Sequence, residues 1–458
     1  MQDLNEFVAI SEEFANSVSG TVKSGGLLFD RRVTRTITPG TLIDEKFMDP
    51  FENNFLLALN PLSSAESSDS SRQGIIPIEL KNSSLHPSVA SKPIGLAWLD
   101  LSTGDFFTQT TTLGTLPSTI ARIGAREIVI SEGLEEKLVQ SIMNALEQQR
   151  HLVTHHRTNA TEDSISSWTP MLEAEVPEDV QSAFTREEVV AGSLLLSYVQ
   201  ERLQGLGIKL QPPVRRQDKE TMSMDKNSMR ALEVLGTSRD GVGAGKGSLL
   251  HTVRRTVTKS GTRLLRDWIA SPSMSIPAIN ARLDLVSRLL EDRSFREDLT
   301  NFLRRTFDSQ RLVQKFAMGR GQADDLISLL RTIEASNGIA RLLGSQVGSF
   351  TDTSSTQLDQ RQSLHELSSR LSLDGPNALA KSIAASIDED GLMESHRTDA
   401  SAGTDIINMA QEVLETEGSA EEQSILSQAT RAKAKQKSTA DSEVEKVEAT
   451  DTWILRKT

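Results

Sequence analysis

The chain has 458 residues, too many for one hydrophobic core, so about three domains are expected. Its formal net charge of -13 opposes nonspecific nucleic-acid binding by the chain as a whole, because such binding needs Lys and Arg to displace counterions; only a local basic stripe remains open to it. The absence of cysteine excludes disulfides and cysteine-ligated zinc, and an aromatic content of only 4% beside abundant Leu, Ala, Glu and Arg argues against a large all-β fold.

No run reaches roughly 18 uninterrupted apolar residues, so no membrane span is predicted. Met1 to Glu6 carries Asp3 and Glu6 without an arginine, unlike a secretory signal or a transit peptide. Phe7–Ile10 and Leu27–Phe29 read as short strands. The segment from Phe29 to Thr41 reads as a further strand with Val33, Arg35 and Ile37 on one face, closed by the Pro39-Gly40 turn. Residues 61–93 are Ser-rich and read as a solvated insertion. An α/β pattern follows: strand 94–101, turn 102–105, strand 106–112, a helix near 117–123, strand 127–130, and a helix on which Leu134, Leu138, Ile142 and Leu146 step by four.

Residues 157–177 form a second polar break, and from Phe184 the pattern is helical. Thr185 to Glu188 has capping-box spacing, and Leu194, Leu195, Tyr198 and Leu203 make one apolar face. Leu264, Leu265, Trp268 and Ile269 fall at buried-face spacing before Pro272 ends that helix. Ser275-Ile276-Pro277 starts another, with Ile279, Leu283, Val286 and Leu290 predicted as its inner face. Beyond about Ala384 the composition is acidic and Ser/Thr-rich, too poor in apolar groups to offset chain entropy, so a disordered acidic tail is predicted; it holds a basic run at 431–437 and ends in an apolar start, Trp453 to Leu455.

Several motifs suggest chemistry. Asp240 to Ser248 resembles a phosphate-binding loop, but Asp240 stands where its first glycine belongs and Gly247 where Ser or Thr must be, so it reads as a turn. Asp100 beside Ser102, Gly104 and Asp105 could begin a two-metal nuclease centre, with Glu127 on a later strand, yet no second carboxylate cluster follows. His151, His155 and His156 lack metal-ligand spacing and read as surface histidines. Arg31, Arg32 and Arg35 are candidate phosphate contacts, weighed against a solvated strand face balanced by Asp30. Phe295-Arg296-Glu297 lies in the middle of the helical region, and Phe295 reads as core. No catalytic, cofactor or metal residue is assigned.

Four motifs in order carry a family resemblance. They are Arg35 to Thr41 with Thr38, Pro39, Gly40 and Thr41; Gly95 to Phe106 with Asp100 and Gly104; Thr256, Thr258, Gly261, Arg263, Leu264, Leu265, Arg266 and Trp268; and Asp308 to Gly321 with Gly319 and Arg320. Together they resemble the MutS family of DNA mismatch-recognition proteins. Gln310 and Lys315 stand where that family usually has Glu and Arg. The runs after Thr38 and from Phe51 are most like its fungal mitochondrial branch.

The resemblance implies a multidomain α/β plus all-α fold. Residues 1–43 would be the tail of the mismatch-binding domain, and 44–160 an RNase-H-like connector domain with its insertion at 61–93. Residues 161–183 would be a linker, 184–384 a helical core and lever domain, and 385–458 low-complexity. It also implies mismatched double-stranded DNA as partner, a homodimer or a heterodimer with MutS-type subunits, and ATP with Mg as cofactors of the whole family but not of this stretch. The chain reads as a fragment that is not itself an enzyme, mitochondrial by resemblance or else nuclear. The alternatives are an RNase-H-like nuclease and a helical scaffold without DNA activity.

Overall fold

The computed structural model describes residues 8–15, 29–44, 47–61, 92–146, 152–157, 164–203, 207–217, 220–237, 241–242, 246–348, 355–388 and 391–392. Contacts divide the chain into Met1–Ala385 and Ser386–Thr458, and the architecture below belongs to the first unit. From residue 393 on, the predicted tail with its basic run and its apolar end falls outside the described residues.

The central element is a six-stranded sheet. Its middle strand, β3 (Phe55–Pro61), pairs antiparallel with β4 (Pro93–Asp100), which pairs antiparallel with β5 (Asp105–Thr112). On the other side β6 (Glu127–Ser131) runs parallel to β3, and β7 (Leu152–His156) parallel to β6. A two-residue strand, β8 (Val214–Arg215), closes the β5 edge. Three antiparallel strands followed by two parallel ones beside the first is the order expected of an RNase-H-like module. The strands read from sequence, β4, β5 and β6, hold within a residue. Strands β3 and β7 were not foreseen; β3 is an unbroken apolar run, which periodicity does not separate from a buried helix.

Alternation along the strands builds two cores. Leu57, Leu59, Leu96, Trp98, Ile128 and Ile130 face α1 (Leu116–Ile123) and α2 (Glu136–Leu146). Leu56, Ala58, Ala97, Leu99 and Val129 face α3 (Arg186–Arg202), through Ala191, Leu194, Leu195, Tyr198 and Val199. The predicted apolar face of α3 is therefore correct, but it packs on the sheet. This moves α3 out of the helical domain at 184–384, and the sheet unit reaches beyond residue 160 to β8. The reason is local. Gly95 lets the N-terminus of α3 lie on β4, where an added Cβ would come within 1.9 Å of the Glu187 carbonyl oxygen.

Part of the supposed linker is also core. A 3-10 helix at Ile165–Met171 buries Trp168, 1% exposed, against Phe106 and under Gly192. A polar average over 157–177 hid this one large apolar anchor.

The N-terminal strands β1 (Val8–Ala15) and β2 (Phe29–Ile37) form an antiparallel pair. Phe7, Leu27 and Leu28 lie outside the described residues. The register shifts between Ile10 and Ser11, opposite Arg35 and Val33. That irregularity breaks the expected common face: Ile37 is buried and Val33 is exposed.

The helical part comprises α4 (Lys259–Ala270), α5 (Ile276–Glu291), α6 (Arg293–Arg304), α7 (Ser309–Ala317), α8 (Ala323–Gly348), α9 (Ser355–Ser369) and α10 (Asp374–Ser386). With 26 residues, α8 is about 39 Å long at a rise of about 1.5 Å per residue, a lever in scale. Its core joins Phe295, Leu343 and Leu364, with Leu285 and Leu289 packed against them. Phe295 is core, as read. The inner face predicted for α5 is not: Ile279, Leu283, Val286 and Leu290 are all exposed. Helix α5 carries two apolar stripes, and the partners α6 and α9 meet the one containing Leu285 and Leu289. A 3.6-residue period marks both stripes alike.

Candidate functional site

The sheet unit and the helices meet at a buried ionic junction built from the motif residues. Capping sets α4 in place: Thr258 accepts from the Gly261 amide at 3.0 Å. An added Cβ on Gly261 would lie 2.6 Å from the Thr258 hydroxyl oxygen, so the cap itself calls for glycine there. Helix α4 then presents Arg263, Arg266 and Ala270 on its inner side, at three- and four-residue spacing.

Arg263 is 5% exposed and grips Asp308, at the start of α7, through two parallel bonds of 2.6 and 2.9 Å. It also donates to the Pro50 carbonyl at 3.0 Å. From the first turn of α7, Arg311 donates to the Glu52 carbonyl at 2.9 Å and to the Ser102 hydroxyl at 3.1 Å. Ser102 in turn donates at 2.6 Å to Asp100, whose other oxygen takes the Asn54 amide at 2.9 Å. Glu52 is shared between Arg126 of the sheet unit and Arg266 of α4. Arg320 reaches Asp44 at 2.9 Å, following the left-handed turn at Gly319. Gly104 turns with φ of 78°, and an added Cβ would stand 3.0 Å from Gln314 of α7.

Asp100, Gly104, Gly261, Arg263, Gly319 and Arg320 thus converge on one interface. The other seven signature residues, three of them on α4, behave otherwise. Leu264 and Trp268 are exposed and Leu265 is half-buried, which corrects the predicted buried face of α4. The ionic residues turn inward because the sheet unit offers carboxylates and carbonyls there, and the apolar side is left outside. Trp268 is capped by the Arg282 guanidinium, 3.7 Å from its ring centre. Thr38, Pro39, Gly40 and Thr41 are buried away from this junction and surround Glu127. Lys315, the departure from the family pattern, keeps a cation's role by pairing with Asp325 at 2.6 Å.

Burial raises the carboxyl of Asp105 above its ordinary value, and the charge of Asp100 adds to this. The Thr103 hydrogen bond and the charges of Arg263 and Arg216 pull it back. These shifts follow from burial and the neighbouring charges. Asp100 pairs in register with Phe55 and Glu127 with Leu56, so alternation sends the two carboxylates to opposite faces of the sheet. Among the described residues no group of three His, Asp or Glu could hold a metal.

The reading of surface histidines is corrected for His156. It is 6% exposed, packs edge-on against Tyr198, and stands 3.1 Å from the Ser197 hydroxyl. His155 is exposed, and His151 lies outside the described residues. The strand register sets Arg31 opposite Glu13 and Arg32 opposite Glu12.

Only part of the glycine-rich segment is described. Gly241–Val242 forms a small antiparallel pair with Gly236–Thr237, and the Ser248 hydroxyl caps the following short helix at His251. Residues 238–240 and 243–245 lie outside the described residues.

Two family profiles match the chain: MutS domain II over residues 83–211, which takes in α3, and MutS domain III over residues 227–452. The "DNA mismatch repair protein MutS" of Nitrobacter hamburgensis is 30% identical over 338 residues, covering 73% of this chain and 34% of that protein. Its namesake in Wolbachia pipientis is 28% identical over 354 residues, 76% and 38% respectively. That of Anaplasma phagocytophilum is 27% identical over 376 residues, 82% and 42%. The chain spans roughly a third to two-fifths of the length of these relatives. The motif residues gathered at the junction, the RNase-H-like strand order and the two successive domain matches agree: this chain belongs to the MutS family.

Proposed function

We propose that this chain supplies the connector and core regions of a MutS-type DNA mismatch-recognition protein. Its work is to carry conformational strain between a DNA-reading part and an ATP-driven part. The observation that supports this is the junction of Arg263, Asp308 and Arg311 with the loop at 50–52 and the hairpin at Asp100. Arg263 and Arg311, fixed by Asp308 on the helical side, donate to the Pro50 and Glu52 carbonyls and to Ser102 on the sheet side, and such a buried, directional contact holds two units at a defined angle, where a loose contact would absorb motion. The partner we assign is mismatched double-stranded DNA, reached as a homodimer or together with another MutS-type subunit.

We do not assign ATP hydrolysis to these two regions, because the glycine-rich candidate has Asp240 where a phosphate loop needs its first glycine and Gly247 where it needs Ser or Thr. Micromolar ATP affinity in calorimetry would contradict that. The likeness of the runs at 38–45 and 51–59 to the fungal mitochondrial branch supports a mitochondrial location, which subcellular fractionation would test.

The relay itself is tested by amide hydrogen exchange on the Asp308→Asn variant. Faster exchange is expected both in α4 and α7 and in the β4–β5 turn, at Thr103 and Gly104. If exchange changes in the helices alone, the junction does not transmit and the reading fails. Anisotropy titration with a duplex carrying one mismatch, against its matched control, tests the DNA partner; equal affinity for both would remove it.

A further inference from the structure

Away from the junction lies a fully buried carboxylate that the relay does not use. Glu127, at the start of β6, is 0% exposed and forms no ion pair among the described residues. It is surrounded by donors from three elements. One oxygen, Oε2, accepts from the Thr38 hydroxyl at 2.5 Å and the Gly40 amide at 3.0 Å. The other, Oε1, accepts from the Tyr198 phenol of α3 at 2.6 Å and the Thr154 hydroxyl of β7 at 2.9 Å.

An isolated buried carboxylate is costly, and four converging donors are what stabilises its charged form. The turn is shaped to reach it: the Thr38 amide donates to the Thr41 hydroxyl at 2.8 Å, and the Thr41 amide to the Thr38 carbonyl at 3.1 Å. Glycine is required at position 40, since an added Cβ would stand 2.9 Å from Glu127 Cβ and 2.6 Å from Leu56 Cδ1.

We propose that Glu127 is a buried anionic clasp, a positioning residue that fastens the Thr38–Thr41 turn to the sheet and so sets how the β1–β2 strands leave it. The clasp explains why two threonines and a glycine occupy a buried turn. Burial first, and then the charge and hydrogen bond of Glu127, push the Tyr198 phenol far above its ordinary value. That is the response of a neutral phenol held against an anion. The proposal concerns coupling within the chain and does not depend on the DNA reading, so its tests use no DNA.

The Glu127→Gln variant decides it, because an amide brings two hydrogens to a site that has only donors. The hydroxyls of Thr38, Thr154 and Tyr198 can reverse and accept, but the Gly40 amide cannot. Either the new NH2 faces Tyr198 and Thr154, turning the phenol from donor to acceptor, or it faces Gly40 and that amide loses its partner. The chain has a single tyrosine, so the tyrosine Fermi doublet in resonance Raman reads Tyr198 alone.

The expected result is a switch of that doublet from donor to acceptor, or about tenfold faster exchange at Gly40 and Thr41, with β4 and β5 unchanged. If neither signal moves, the clasp is wrong. Should Glu127→Gln not fold, Thr38→Val tests the same link. It should speed exchange at Gly40 and Thr41 while leaving the tyrosine doublet as it was, and unchanged exchange overturns the proposal.

Discussion

The sheet unit and the helical unit hold together by opposite means. In the sheet unit nearly every large apolar side chain predicted to be inside is inside, and two cores sandwich β3 and β4. In the helical unit Phe295 of α6, Leu343 of α8 and Leu364 of α9 form one buried cluster, while arginines and a carboxylate are buried toward the sheet. Apolar contact is non-directional and can slide; a bidentate guanidinium–carboxylate pair has one geometry. The contrast suggests a rigid body on one side, a set of levers on the other, and orientation entrusted to the ionic junction.

The largest test of that contrast is Asp308→Ala, which strands the buried Arg263. It should cost about 3–5 kcal/mol in denaturant unfolding, and mainly in the helical transition. A loss under about 1 kcal/mol would mean that the junction is ornamental. Next, Gly95→Ala drives a methyl into the Glu187 carbonyl and should cost about 1–3 kcal/mol, this time in the sheet transition.

Removing the complete capping box with Thr185→Ala should cost about 1 kcal/mol, visible as a modest fall in midpoint. Smallest of all, Leu283→Ser on the outer face of α5 should leave stability within about 0.5 kcal/mol, because Leu283 is 56% exposed. A large loss there would place the α5 stripe in a core and undo the comparison.

The same contrast explains what the sequence could and could not reveal. Strands β4 to β6, α1 and the cap of α3 were legible because a turn or cap residue marks each boundary and alternation marks each face. The faces of α4 and α5 were not legible. Each helix has an apolar stripe that faces solvent, and α4 buries Arg263 while leaving Trp268 outside. Periodicity identifies a helix but cannot choose among its stripes when the neighbour offers charge. Which motif residues belonged to one site was equally hidden, because Arg263, Asp308, Glu52 and Asp100 are brought together only by the fold. Glu127 was noticed as a possible metal ligand, and only its four hydroxyl and amide neighbours show its chemistry. The hydroxyls at Thr38 and Thr154 were the available signal.

Glu52 carries one last implication. Its two oxygens are divided between Arg126, which moves with the sheet, and Arg266, which moves with α4. Were the halves to part, Glu52 would keep Arg126 and lose only Arg266, a cation near enough to the surface to be rehydrated. Arg263 and Asp308 both belong to the helices and would part from the sheet together, so the harder break is that of Arg263 from the Pro50 carbonyl and of Arg311 from the Glu52 carbonyl and Ser102. Hinge motion would then proceed as a latch with a soft first click and a hard second one, and its resting angle would be remembered.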